Sequence, residues 1–196
     1  MIRKLQKSYY QQADTLGLAR DLLGKVLCFQ NPEGENHRAV ITETEAYLGA
    51  EDRASHAWGN RLTPRTQTMF EAGGVAYIYL CYGIHHLFNI VTHQFGTPHA
   101  VLIRGGILMT PSGANQGCNN PGINSRVLGG PGIFTKKMGI TIRYNGISLT
   151  GNTLWLEDHQ FQVKEIKTSP RIGVDYAGDD ALLPYRFQWE NPHLCI

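Results

Sequence analysis

Two carboxylates one residue apart, in the run Glu43-Thr44-Glu45-Ala46-Tyr47, stand beside an aromatic side chain, and a second aromatic cluster follows in Tyr77-Ile78-Tyr79-Leu80-Cys81-Tyr82-Gly83. A carboxylate can take a proton from water and stabilise positive charge that develops in front of it. Tyrosine rings stack on flat heterocycles, at about 1–3 kcal/mol per base in nucleic-acid complexes. Alternate residues of a strand share a face, so Ile41, Glu43, Glu45 and Tyr47 line up if the strand is regular, as do Tyr77 and Tyr79, with Tyr82 at the turn beyond. Two acids on one strand face suit either a solvated surface or a site. A tyrosine-rich sheet packed on a helix is at least as common as a stacking platform, so spacing alone leaves both readings open.

Several other chemistries lack their residues. There is no G-x-x-x-x-G-K-[ST] and no complete G-x-G-x-x-G after a strand, which argues against nucleotide hydrolysis. No G-x-S-x-G elbow is present for acyl transfer. The eight histidines do not fall into a metal-ligand spacing: His85 and His86 are neighbours and point to opposite faces of a strand, and the H-x-E with P-C-x-x-C of zinc deaminases is missing. Cys28, Cys81, Cys118 and Cys195 are scattered without a C-x-x-C pair behind the polar start MIRKLQKSYY, which reads as a reduced, intracellular protein. No apolar run approaches the ~20 residues that span a bilayer.

The formal net charge of +2 conceals an asymmetry. Between Arg53 and Leu156 stand eight cations and a single acid, Glu71, for a net +7, and the remainder of the chain carries −5. A basic middle region suits a surface that meets a polyanion, where each cation placed on a phosphate releases a counterion. Chance clustering on a solvated face gives the same count.

The elements that must hold these residues are short. Asp14 caps a helix with Leu16, Ala19, Leu22 and Leu23 at helical spacing, and Gly24 stops it. Lys25–Phe29 and Arg38–Tyr47 read as strands around an NPEGEN turn. Thr63 and Pro64 open a helix in TPRTQTMFEAGG that ends at Gly73-Gly74. Val75–Leu80, Ile84–His93 and His99–Leu108 carry β-favouring residues and form a meander or hairpin pair. Thr110–Asn124 reads as a mobile loop, Gly130-Pro131-Gly132 opens a helix through Met138, and strands near Ile147–Leu156, Phe161–Thr168 and Tyr185–Trp189 complete a sheet. With no repeat and no linker, residues 1–196 are expected to form one α+β domain, a curved, mainly antiparallel sheet flanked by short helices.

From Ala39 nearly to the C-terminus the chain resembles the alkyladenine (3-methyladenine) DNA glycosylases, in their compact bacterial form. The likeness is carried, in order, by ITETEAYLGAEDRASHA, TPRTQTMF, YIYLCYGIHHLFNIV, AVLIR, GGPG and PRIGVDYAGDDALLPYRF. It implies that Glu45 activates water against C1′ of a flipped nucleotide, with Arg104 close to Glu45 and the water or phosphate. It implies further that Tyr47, His56 and Tyr79 form the base pocket, partly through the His56 backbone, and that Asn89 at its floor disfavours the 2-amino group of guanine. Tyr82 would wedge into the duplex, and Gly130-Pro131-Gly132 would contact the DNA backbone. One departure stands out: the family usually continues Gly-Pro-Gly with Lys-Leu, whereas this chain has Ile133-Phe134, with Lys136 and Lys137 a turn further on either as substitutes or as a solvated helix face.

The partner so implied is double-stranded DNA carrying damaged purines, with no cofactor, no metal and a monomeric, cytoplasmic, nucleoid-associated protein. Alkylation makes a base cationic and ready to leave, while hypoxanthine or ethenoadenine needs a proton or hydrogen bonds from the pocket. A glycosylase that also cut the backbone would need an amine, and lysine is absent from Val40 through Thr135. Glu43 is expected to be structural, and Asp175, Asp179 and Asp180 to serve turns or caps. The rival readings are a non-catalytic lesion-binding module and a single-strand binder, the second of which leaves Glu45 without a task.

Overall fold

The computed structural model describes residues 1–109 and 127–192; the expected loop at Thr110–Asn124 lies outside them. After a short β1 (Arg3–Lys4) and α1 (Lys7–Tyr10), helix α2 (Thr15–Asp21) begins where Asp14 accepts a hydrogen bond from Gly17 N at 2.8 Å. It buries Leu18 and Ala19, with Leu22 and Leu23 following it, and Gly24 at φ +79° turns the chain into β2 (Val26–Gln30). The strands β3 (Asn36–Tyr47), β4 (Ala76–Cys81), β5 (His85–Thr92), β6 (His99–Leu108), β7 (Val127–Gly129), β8 (Leu154–Asp158), β9 (Ile166–Ser169) and β10 (Arg186–Trp189) follow, with α3 (Pro131–Met138) after β7. Ten described strands form one sheet, antiparallel at every pairing, ordered β1-β8-β2-β3-β6-β5-β4. This is the expected α+β architecture.

The sheet forks at its centre. The outer edge of β3 pairs with β2 over Asn36–Val40 and with β10 over Glu43–Glu45; the far edge of β6 pairs with β5 through Leu102 and with β7 from Gly105. Between those two partners sits Arg104, and opposite it the β3–β6 register steps irregularly at Glu43. A strand that changes neighbours must open its ladder, and such irregularities re-aim side chains beside sites.

Strand alternation divides the two faces. Ala46, Ile78, Phe88, Ile90, Val101 and Ile103 join the main apolar core, as do Ile41, α2 and Phe134 of α3. Burying a side chain of this kind stabilises by about 1.5–3 kcal/mol, so this face holds the fold together. α3 approaches so closely that a Cβ on Gly106 would stand 2.6 Å from Val40 O and 2.8 Å from the Phe134 ring, which explains a glycine in mid-strand. The opposite face carries Glu45, Leu102, Asn89 and Tyr77 directly abreast on β3, β6, β5 and β4.

Three expected elements are shorter than their sequence pattern. TPRTQTMFEAGG makes only a turn and one 3-10 turn at Gln67–Phe70, because the Thr66 hydroxyl bonds Arg61 O and meets Thr63 N, competing with helical pairing. The strand expected over Ile147–Leu156 is confined to β8, since Ile147–Thr153 makes one bridge, Ser148 to Val75, and then turns. The one expected over Phe161–Thr168 begins at Ile166, because Phe161 and Val163 pack against the core from a segment outside the sheet.

Candidate active site

Glu45 is 0% exposed, and three hydrogen bonds among the described residues hold its carboxylate. Oε1 accepts the Ile172 N–H at 2.8 Å and lies 3.3 Å from Arg104 Nε; Oε2 accepts the Tyr47 hydroxyl at 2.8 Å and Arg104 Nη1 at 3.3 Å. A carboxylate offers about four acceptor directions, and three are filled here, because the single Arg104 Nε–H is donated to Glu43 and meets Glu45 only as a charge. Burial raises the Glu45 pKa above the usual carboxylate range, against the pull of Arg104, Ile172 N–H and Tyr47 O–H.

Glu43 differs from Glu45 by one pleat. Its Oε1 accepts Arg104 Nε at 3.0 Å and Arg186 Nε at 2.6 Å, so it clamps two guanidinium groups and fixes the height of Arg104. The structural reading of Glu43 matches this geometry. Behind Tyr47 lies a second pair, Asp52 and Arg171, both fully packed away. Arg171 also donates to Ala46 O and Asp180 O, and its guanidinium lies 4.9 Å from the Tyr47 ring centre and 5.2 Å from that of Tyr185. Asp52 in return accepts the Leu48 and Ala54 N–H groups. Arg171 precedes Ile172, so this cluster sets the N–H that faces Glu45.

In front of these residues opens a cavity of about 710 Å³, within the ~300–1,000 Å³ usual for small-ligand sites. Its floor is the sheet: Leu102 and Asn89 lie abreast between Glu45 and Tyr77, a row of three strand spacings or ~14 Å. Asn89 Nδ2 is held by Tyr77 O at 3.1 Å. One wall is aromatic, with His56 and Tyr79 at 4.6 Å and 76°, and Tyr77 and Tyr79 at 5.5 Å and 34°. The other comprises Tyr47, Ile172, Gly173 and Tyr176. Burial, with Arg65 nearby, lowers the His56 pKa to about 4, so the imidazole is neutral at pH 7.

The rim carries the remaining expected residues. Tyr82 stands at the β4–β5 hairpin tip, 90% exposed, with φ +49°. A bulky side chain in the left-handed region is a strained arrangement that tends to mark function. Gly130, Pro131 and Gly132 line the cavity at the start of α3, beside His85, where a Cβ on Gly132 would stand 2.9 Å from the imidazole. Ile133 is exposed there, while Lys136 and Lys137 lie exposed in the last turn of α3 as a solvated face.

The structure thus brings Glu45, Arg104, Tyr47, His56, Tyr79, Asn89, Tyr82 and Gly130–Gly132 to one side of the sheet. Asp180 accepts Arg53 N at 2.8 Å, tying two loops 127 positions apart rather than capping its own turn. Sequence reasoning missed Arg65, Asp52, Arg171, Ile172, Tyr176 and Arg186. The pairings Asp52–Arg171, Glu43–Arg186 and Glu45–Ile172 join residues more than a hundred positions apart, so no local pattern announces them. Arg65 is near enough to have been weighed, as a cation inside the otherwise apolar and polar TPRTQTMF.

An antiparallel sheet with a buried, arginine-paired carboxylate behind an aromatic cavity, rimmed by an exposed tyrosine, has the walls to hold a flat ring. The family model described as methylpurine-DNA glycosylase (MPG) matches residues 8–193, and the chain belongs to that family. It is accordingly a DNA-repair hydrolase of N-glycosyl bonds. Among its relatives, a protein of Desulfitobacterium hafniense, named provisionally as a 3-methyladenine DNA glycosylase, is 37% identical over 97% of both chains. A Chlamydia abortus protein of the same name is 40% identical over 93% of this chain and 96% of its own, and one of Bacillus mycoides 39% identical over 94% and 95%. Among the described residues no helix is long and apolar enough to cross a membrane.

Proposed function

We propose that the protein is a monofunctional glycosylase that flips 3-methyladenine, 7-methylguanine, hypoxanthine or ethenoadenine out of double-stranded DNA and hydrolyses its bond to deoxyribose. The observation that carries this reading is the buried Glu45 carboxylate, joined to Arg104 and Tyr47 directly behind an aromatic cavity. The C1′–N bond breaks with its electron pair going to the base, which leaves cationic character on the sugar. A water placed by Glu45 bonds to C1′ and its proton passes to the carboxylate. Three donors hold Glu45 in the free protein, which leaves one acceptor direction for that water.

Incubation with duplexes carrying each lesion, followed by alkaline cleavage, is expected to reveal abasic sites with intact strands before alkali. Binding without abasic sites would instead identify a non-catalytic lesion binder. The lysine distribution supports hydrolysis alone: no lysine lines the cavity, Lys25 is engaged with Asp21 and Asp158, and Lys136 points to solvent. Borohydride should therefore trap no protein–DNA adduct.

Tyr82→Ser should weaken flipping about tenfold, since stacking of the wedge contributes about 1–3 kcal/mol. A duplex with the lesion opposite a gap should recover part of the loss; equal losses on both duplexes would remove the wedge role.

The ionised form of Glu45 is the active one, and its pKa is raised, so activity must fall on the acid side at a pH above the ordinary glutamate value of about 4.3. The kcat/KM profile on a hypoxanthine duplex measures that limb. A limb at or below the ordinary value would mean that Glu45 is not the titrating base.

A further inference from the structure

Resting on that reading, one pocket cation remains without a task. Of the charged side chains lining the cavity, Arg104 is taken by Glu43 and Glu45, while Arg65 has no carboxylate partner among the described residues. Arg65 is exposed to the cavity yet held in place: Nη2 lies 3.3 Å from His56 Nε2, and its guanidinium carbon is 4.9 Å from the Tyr79 ring centre.

An arginine only donates, so His56 Nε2 accepts. The imidazole proton therefore sits on Nδ1, where it is donated to the Tyr77 hydroxyl at 2.9 Å. Both ring nitrogens of His56 are thereby occupied, and with a pKa near 4 the ring is no acid at neutral pH. The Tyr47 and Tyr79 phenols, whose pKa values burial raises, are poorer acids still. The group in this corner with unused donors and a permanent charge is the Arg65 guanidinium, which has five N–H bonds and only His56 and Tyr77 as polar neighbours among the described residues.

We propose that Arg65 is the specificity-determining residue for neutral lesions, with its guanidinium stabilising the negative charge that gathers on the departing base. When a neutral purine such as hypoxanthine leaves, the C1′–N electron pair makes it an anion, which later takes a proton from water, while Glu45 holds the proton of the attacking water. A fixed cation beside that anion lowers the barrier because the charge appears only on the way to the transition state. A cationic base such as 7-methylguanine becomes neutral as the bond breaks, so relative to free enzyme and DNA the transition state gains nothing from Arg65 on the base side. The residue thus extends activity from bases that leave unaided to bases that need help.

The test compares Arg65→Gln and Arg65→Lys with the unaltered protein on duplexes of one sequence carrying hypoxanthine or 7-methylguanine. The readout is the second-order single-turnover rate of base release, with thermal melting as a check on folding. Arg65→Gln is expected to lower hypoxanthine release about tenfold more than 7-methylguanine release, a preference that partial exposure keeps below the 10²–10³ of an enclosed oxyanion donor. Arg65→Lys, which keeps the charge, should restore part of the ratio. Equal losses on both lesions would overturn the proposal in favour of a phosphate contact or a structural role, and so would a ratio that follows neither charge nor variant. Failure of the unaltered protein to release either base would overturn the glycosylase reading itself, a result distinct from an unchanged ratio.

Discussion

Glu45→Gln is expected to reduce base release by about 10²–10⁴-fold, the usual contribution of a positioned general base, while leaving binding to lesion-bearing duplex close to that of the unaltered protein. Glutamine fills the same volume. Its oxygen can keep the Ile172 N–H, and its amide can donate to the Tyr47 hydroxyl, so the cavity keeps its shape and its rings. What is lost is the negative charge that takes the water proton and faces the sugar. Single-turnover release and a binding titration on the same hypoxanthine duplex separate the two effects. Activity within threefold of the unaltered protein would remove Glu45 from the base role and turn attention to Glu43. A parallel collapse of binding and of melting temperature would mean that the carboxylate acts mainly to neutralise Arg104.

The second large effect concerns the Asp52–Arg171 pair. Asp52→Ala leaves the Arg171 guanidinium buried without a carboxylate, a loss of about 3–5 kcal/mol. In a chain of this size about 2–4 °C of melting temperature follows each kcal/mol, so a fall of about 10 °C is expected in thermal denaturation. Activity should fall as well, because Arg171 sits between the Tyr47 and Tyr185 rings, ties Ala46 O to the Asp180 loop and places the Ile172 N–H against Glu45. The double variant Asp52→Leu with Arg171→Met tests the positioning role. Apolar residues of similar volume often replace a buried ion pair at little cost, so melting should recover in part. Release of the base should not recover, and its acid limb should move further up once Ile172 N–H no longer holds Glu45 in its ionised form. Recovery of activity together with stability would make the pair a purely structural brace.

The two pairs solve different problems. Glu43 and Arg186 fix Arg104 from the sheet side, where β3 exchanges β2 for β10; Asp52 and Arg171 fix Tyr47 and Ile172 from the loop side. Glu45 lies between them. Several charges buried together hold only if every member is paired, and here each guanidinium meets a carboxylate. One atom is left over: Arg171 Nε is buried with no partner among the described residues, a flaw consistent with a cluster arranged around Glu45 rather than for stability alone.

Much of this was legible in the chain itself. Alternation in ITETEAY and AYIYLC put Glu45 with Tyr47 and Tyr77 with Tyr79, because a strand has a period of two whatever its partners. Turn chemistry at Gly83 and the Gly-Pro-Gly opening of α3 was likewise local, as was the Asp14 cap. The helix expected in TPRTQTMFEAGG was not, because the Thr66 hydroxyl competes for its backbone groups and the segment closes over the cavity instead. The charge map marked the basic middle but could not separate Arg104, locked between two carboxylates, from Arg65, facing the cavity.

The sequence by itself determined which residue types were available, which pairs share a strand face, and, through long ordered blocks of likeness, the family. Tertiary structure decided how that carboxylate is made special. The Ile172 N–H on it and the clamps Asp52–Arg171 and Glu43–Arg186 around it come from strands and loops brought together across more than a hundred residues, and no periodicity in a chain encodes a contact of that range. The contrast between Glu45 and Glu43 is the clearest case: one pleat apart on the same strand, both meet Arg104, and only the fork of the sheet turns Glu43 onto Arg186 while sealing Glu45 behind the cavity.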